Sequence, residues 1–168
     1  MTLFAAALVA ISTVAGVRCF DVRTVDGGCL VSQQVAVVWR YGEIHGAFVA
    51  NDFPHGAGLV VGATFGGDVG SPWFHFRHDR LRLAARLTVD GGVIERRDVG
   101  TRSSTFDFDA LTFSAGPQLW VRISPGAFFV ARAAAGASVF IFDVFPNGGT
   151  WQLTPTIDAA VGFAFDLF

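Results

Sequence analysis

The chain contains no lysine: its 12 basic residues are all arginine, set against 14 acids, for a formal charge of −2. That balance excludes a nucleic-acid partner, which would call for a basic surface. Charge of either sign is scarce, at 15% of residues, where soluble domains carry roughly 25%. Soluble sandwiches place Lys and Glu on their wet faces, so this scarcity argues against one. No apolar run reaches the ~18 residues of a membrane-spanning helix. Gly-x-Ser-x-Gly, His-Glu-x-x-His and phosphate-loop patterns are all absent. The two cysteines, Cys19 and Cys29, have no further Cys or His nearby to complete a zinc site. No cofactor or metal is expected.

What the sequence does contain is alternation. Leu111, Phe113, Ala115, Pro117, Leu119, Val121 and Ile123 form an apolar series; Thr112, Ser114, Gly116, Gln118, Trp120 and Arg122 lie between them. Side chains on a strand alternate faces, so this is a ribbon with one apolar face and one polar or small face. Leu81–Val89 repeats the pattern, and so does Leu153–Leu167. Long strands whose second face is Gly, Ala, Ser and Thr with a few Arg or Asp fit a narrow barrel, lipid outside and a cramped polar interior.

Turn signals cut the chain at Asp26-Gly27-Gly28, Tyr41-Gly42-Glu43, 51–56, 66–72, 90–105, Ser124-Pro125-Gly126 and 145–149. Between them lie candidate strands at about 17–25, 29–40, 44–51, 57–66, 73–89, 106–123, 127–143 and 150–168. This predicts an all-β fold: an antiparallel transmembrane barrel of about eight strands with up-and-down topology, the smallest such number. An even strand count puts both termini on the same side. The connections near 27, 53, 98 and 147, the long polar 90–105 segment among them, lie on one side, and those near 42, 69 and 125, with the three-residue turn 124–126, on the other. Pro117, in mid-strand, lacks a ladder donor, so a bulge is expected there.

Leu3–Val17 is mostly Ala, Val, Leu and Ile and ends in the small residues Val14-Ala15-Gly16. It reads as a secretory leader, residues 1–16, ahead of a single barrel domain, 17–168. Its front, Met1-Thr2, supplies no basic residue, and the alternative is a first barrel strand of a chain that starts upstream. Cys19 and Cys29 bracket a turn, and in an exported chain they could close a small loop by a disulfide.

With these strands on the page, residues 30–168 resemble the small eight-stranded outer-membrane β-barrels of the OmpA type. The resemblance rests on strand pattern, count, loop asymmetry and the terminal Val161, Phe163, Phe165, Leu167 and Phe168. It implies a bacterial outer-membrane location, outer-membrane lipid as partner, and recognition of the C-terminal strand by the barrel-assembly machinery. By strict alternation Phe168 falls on the Asp166 face, where the family pattern sets it with the lipid-facing residues.

By parity Arg40, Arg80, Arg82, Arg86, Arg122 and Arg132 fall on the small-residue face, with Asp158 and Asp166 among its acids. In a barrel interior these charges must pair, and eight strands leave room for side chains alone. A lumen charge network of Arg80, Arg82, Arg86, Arg122, Arg132, Asp158 and Asp166 is therefore expected, and a conduit is not. His75 and His78 fall on opposite faces and read as rim residues, while His45 and His55 stand alone. Trp39, Tyr41, Trp73, Phe74, Phe145, Trp151, Phe163 and Phe165 read as interfacial girdles. The function expected is non-enzymatic, a monomeric barrel with a structural or surface-interaction role. Two alternatives are a lipid-modifying barrel enzyme, for which Ser103 or Ser104 with a His is the raw material, and a soluble lipocalin-like carrier with its apolar faces inward.

Overall fold

In a computed structural model of the chain, residues 10–20, 29–52, 59–76, 78, 80–97, 105–142 and 150–167 are described. They form β1 (Ala10–Phe20), β2 (Cys29–Trp39), β3 (Gly42–Asp52), β4 (Leu59–Gly70), β5 (Phe74–Phe76), β6 (Leu81–Arg97), β7 (Thr105–Ser124), β8 (Ala127–Phe142) and β9 (Thr150–Asp166). All pairings are antiparallel: β1 to β4 pair in sequence, β4 and β5 both pair with β6, β6 to β9 pair in sequence, and β1 pairs with β9 from Ala10↔Asp166 to Phe20↔Thr156. The sheet is thus closed, an eight-stranded up-and-down barrel with no free edge.

The three-residue β5 is not a ninth stave. Gly70 pairs with Arg86 and Phe74 with Leu83, so β5 continues β4 along β6 with one residue inserted. That insertion is a bulge at Ser71-Pro72-Trp73, where a residue without a backbone donor costs least. Ser71 anchors it, its N–H donating to Ala85 O and its Oγ accepting from Ala85 N, each at 3.0 Å. The bulge reverses the alternation. Trp73, expected in the membrane girdle, points into the barrel and is 7% exposed.

Several boundaries move for the same kind of reason. The expected turn at 66–72 is strand and bulge, and the reversal falls between β5 and β6, where His78 adopts φ 56°. The expected 90–105 loop is largely strand, since β6 runs to Arg97 and β7 starts at Thr105. Gly66 and Gly92 explain both misreadings. They lie on the facing strands β4 and β6, where a Cβ on Gly66 would meet Val89 O at 2.4 Å and one on Gly92 would meet Ala63 O at 2.3 Å. They are close-approach glycines inside strands, not turn residues. Pro117 needs no bulge: its lipid-facing ring leaves the β7–β8 register unchanged from Ala115↔Ala135 to Gln118↔Arg132.

The first strand starts earlier than the expected 17–25. Ala10–Gly16, the second half of the apolar N-terminal segment, pairs with both β2 and β9. Cys19 and Cys29 face each other at the end of that hairpin and are disulfide-bonded, S–S 2.07 Å. Phe168, Phe145, His55, Ser103 and Ser104 lie outside the described residues.

The barrel is inside-out relative to a soluble protein. Its exterior carries Val35, Phe48, Phe65, Leu87, Phe113, Ile157 and Phe163, all exposed, while Ser12, Gln34, Asp68, Thr88, Ser114 and Thr154 are buried within. The soluble-carrier reading put the apolar faces inward; the structure turns them out. An apolar exterior this extensive requires hydrocarbon around it. The ends differ as well. The strand ends Phe20 and Cys29, Asp52 and Leu59, Arg97 and Thr105, and Phe142 and Thr150 lie at one end, while the reversals at 40–41 and 125–126, with His78 between β5 and β6, lie at the other.

Two outcomes follow from this architecture. Ile157→Arg, on the outer face near mid-barrel, should cost about 2–4 kcal/mol in urea-dependent refolding into vesicles, whereas Ile157→Val should cost little. Deleting residues 1–16 should leave β2 and β9 with unpaired edges, so the shortened chain should show no heat-dependent gel mobility; a compact unboiled band would show that closure does not need them.

Candidate functional site

The buried lumen is layered. At the turn end Trp73, Trp120 and Phe128 stack, with centroids 4.9 Å apart for the first pair and 5.4 Å for the second. Arginines cap this stack. Arg86 lies 4.5 Å from the Trp73 ring centre, and Arg82 lies 4.2 Å and Arg122 5.3 Å from that of Phe128. Arg82 also reaches Asp166, Nη2 to Oδ2 3.5 Å. Toward the loop end the interior is closed by Leu30, Val49, Ile94 and Phe140 beside buried Thr112 and Ser138, whose hydroxyls meet at 2.6 Å.

Between these layers a chain of charges crosses the barrel. Arg18 bridges two carboxylates, its Nε donating to Asp158 Oδ1 at 2.6 Å and its Nη2 donating to Asp90 Oδ2. Asp90 Oδ1 faces His45 Nε2 at 2.5 Å, and the other ring nitrogen lies 3.2 Å from Glu43 Oε1. Glu43 in turn accepts from Gln34 (2.9 Å), Gln118 (3.3 Å) and Arg132 (3.4 Å). Arg132 uses its other amino group on Gln34 Oε1 at 2.6 Å. Beside this chain Arg86 Nη1 lies 3.4 Å from Asp68 Oδ1.

These groups come from all eight staves: Arg18 from β1, Gln34 from β2, Glu43 and His45 from β3, Asp68 from β4, Arg86 and Asp90 from β6, Gln118 from β7, Arg132 from β8 and Asp158 from β9. A void of about 20 Å³ beside Arg18, His45, Asp90 and Asp158 has the size of a single water molecule. The cross-section is filled by side chains.

The expected network residues divide into two groups. Arg82, Arg86, Arg132, Asp158 and Asp166 project inward, as does Arg122, half-exposed at the turn end with its guanidinium over Phe128. Arg80 and Arg40 are exposed in the turns, because each lies one residue outside its strand, where the lumen has ended. The pairings also differ from expectation. Asp158 serves Arg18, and Arg86 and Arg132 find Asp68 and Glu43. His45, expected to stand alone, joins Glu43 to Asp90. His75 pairs across from Arg82 at the rim and is exposed. Among the described residues no cluster of His, Cys, Asp or Glu could hold a metal ion.

The residues missed from sequence were Arg18, Gln34, Glu43, Asp68, Asp90 and Gln118. A signal for part of them was present: Ile44, Phe48 and Ala50 alternate with Glu43, His45, Ala47 and Val49.

The fold is that of the small eight-stranded outer-membrane β-barrels. Neisserial surface protein A (NspA) superposes with a TM-score of 0.52 at 10% sequence identity, over 95% of this chain and 97% of that one. The N-terminal β-barrel domain of Pseudomonas aeruginosa OprF aligns over 95% of this chain and 99% of that one, with TM-score 0.48 and 12% identity. No protein-family model and no curated protein matches the chain. At such identity the likeness to NspA concerns architecture, not ligands.

Truncating one member of the charge chain strands its partners in the interior. Arg18→Ala should destabilise by about 3–5 kcal/mol in the same refolding measurement. Arg18→Leu combined with Asp158→Leu should lose less than the sum of the two single changes; strict additivity would mean that the pair does not interact.

Proposed function

We propose that the protein is a non-enzymatic bacterial outer-membrane barrel with a side-chain-filled lumen, acting as a monomeric structural or surface-interaction element. The observation that carries this reading is the charge chain drawn from all eight staves, set inside an apolar exterior. A passage would need mobile water and a continuous opening; here each central charge meets a side chain from another strand within hydrogen-bonding or ion-pair range. The C-terminal strand β9, with Val161, Phe163 and Phe165 facing outward, is the segment offered to the assembly machinery. Contacts with the cell surroundings then fall to the four connections at the loop end, the first of them closed by the Cys19–Cys29 disulfide.

The lipid-modifying alternative requires a nucleophile and base side by side at the rim. Its only candidates, Ser103 and Ser104, lie outside the described residues, and no observation favours it. A lipid-hydrolysis assay on the refolded protein separates the two readings, with no turnover expected. In planar bilayers the unmodified barrel should pass no steady current, and Arg122→Ala should open little. A sustained anion-selective current through the unmodified protein would overturn the filled-lumen reading.

A further inference from the structure

Within its apolar belt the outer wall of the barrel carries a polar pair. On β2 the outward series is Val31, Gln33, Val35 and Val37, all exposed. Gln33 stands directly opposite Ala15 on β1 and Phe48 on β3, so its neighbours along and across the sheet are apolar. Its Nε2 donates to Thr13 Oγ1, also on the outer face, at 2.8 Å. A carboxamide has two N–H donors and an oxygen with two lone pairs. Thr13 takes one donor, and the rest of the amide faces hydrocarbon. Acyl chains offer it no partner, and an unmet amide group at that depth is costly.

The surface has opposite relief on the two sides of Gln33. On the β3 side Phe48 is 77% exposed, its ring standing out from the wall. On the β1 side lies an open recess of about 520 Å³ whose lining includes Ala15, Val17, Val31, Ala131, Ala159 and Val161. A projection and a hollow flanking one amide make a self-complementary face. A second copy turned by half a rotation about the membrane normal brings its Phe48 toward the recess of the first. The first copy's Phe48 comes toward the recess of the second, and the two Gln33 amides meet between them. That is the isologous arrangement of a twofold pair. One amide also completes another, each donating its free N–H to the other's oxygen. A lipid chain would fill the hollow and leave the amide unmet.

We propose that two copies of this barrel pair side by side in the membrane through this face, with Gln33 against Gln33 and each Phe48 in the other's recess. The proposal rests on the membrane reading above and goes one step past it. Each barrel closes within a single chain, so the monomer is complete and the pair is a reversible contact between two such units. Hydrogen bonds between polar side chains supply association in a bilayer, where apolar side chains gain little over lipid.

A chain with no lysine takes an amine-reactive dye at its N-terminus alone. Energy transfer between donor-labelled and acceptor-labelled full-length protein in phosphatidylcholine vesicles therefore tests the pairing. Transfer should rise with protein density in the bilayer, well above the level of randomly placed labels. Gln33→Leu should weaken association by about fivefold or more, the scale of one or two hydrogen bonds between polar side chains in a membrane. Phe48→Ala should weaken it as well. Phe65→Ala, which removes another exposed ring from the neighbouring strand β4, should leave it unchanged. None of these side chains enters the lumen, and heat-dependent gel mobility shows that each variant closes. Transfer no greater than that of random labels would overturn the proposal. So would unweakened association in Gln33→Leu or Phe48→Ala, and so would equal losses from Phe48→Ala and Phe65→Ala, which mark unspecific apolar crowding. Failure of the unmodified protein to insert into vesicles at all would instead overturn the membrane reading beneath it.

Discussion

The interaction on which the rest of this barrel depends is the pair of bonds made by Arg18 to Asp90 and Asp158. It joins β1 to its neighbour β9, where Asp158 stands directly opposite Arg18, and reaches across the lumen to Asp90 on β6; through His45 and Glu43 it extends to β2, β3, β7 and β8. The backbone ladder alone fixes neighbouring staves. Cross-lumen bonds fix opposite ones, and so constrain which cross-section the barrel adopts. They also set what the interior can hold. Once charges are placed where no water shell fits, each must meet a partner, and the partners fill the space.

That requirement reaches back to the glycines. A carboxylate inside an eight-stranded barrel needs room beside it, and the room comes from small inward neighbours. Asp90 lies opposite Gly66 on β4, and a Cβ there would sit 2.3 Å from Asp90 Oδ1. At that position charge and glycine occur together for a packing reason.

The same coupling explains what could be read from the sequence and what could not. In β6, β7, β8 and β9 the apolar series is long and regular, so face, register sense and the inward place of Arg82, Arg86, Arg132, Asp158 and Asp166 follow from counting by two. The even strand number and the sharing of one end by both termini follow as well. Gly42-Glu43, Gly66-Gly67-Asp68 and Asp90-Gly91-Gly92 read as turns under rules drawn from water-exposed chains, where Gly next to an acid marks a reversal. Here those segments are strand, and they supply the carboxylates at the centre. Trp73 was hidden by a different cause: one inserted residue reverses the face of everything after it, and Pro72, which marks the insertion, reads in sequence as part of a turn. The partner of each arginine was beyond counting, because pairing across the lumen depends on strand tilt and stagger.

The absence of lysine acquires a structural meaning at this point. Arg18 binds two carboxylates through Nε and Nη2, and Arg132 binds Glu43 and Gln34 through its two amino groups. A planar fork with five donors can satisfy two acceptors in different directions from one position; an ammonium concentrates its donors at one point. Arg82, Arg86 and Arg122 add a second use, laying the guanidinium over Phe128 or Trp73, a stacking that a strongly hydrated ammonium makes less well in a dry interior. One residue type thus serves both bridging and stacking, and the interior of this barrel is built from its geometry as much as from its charge.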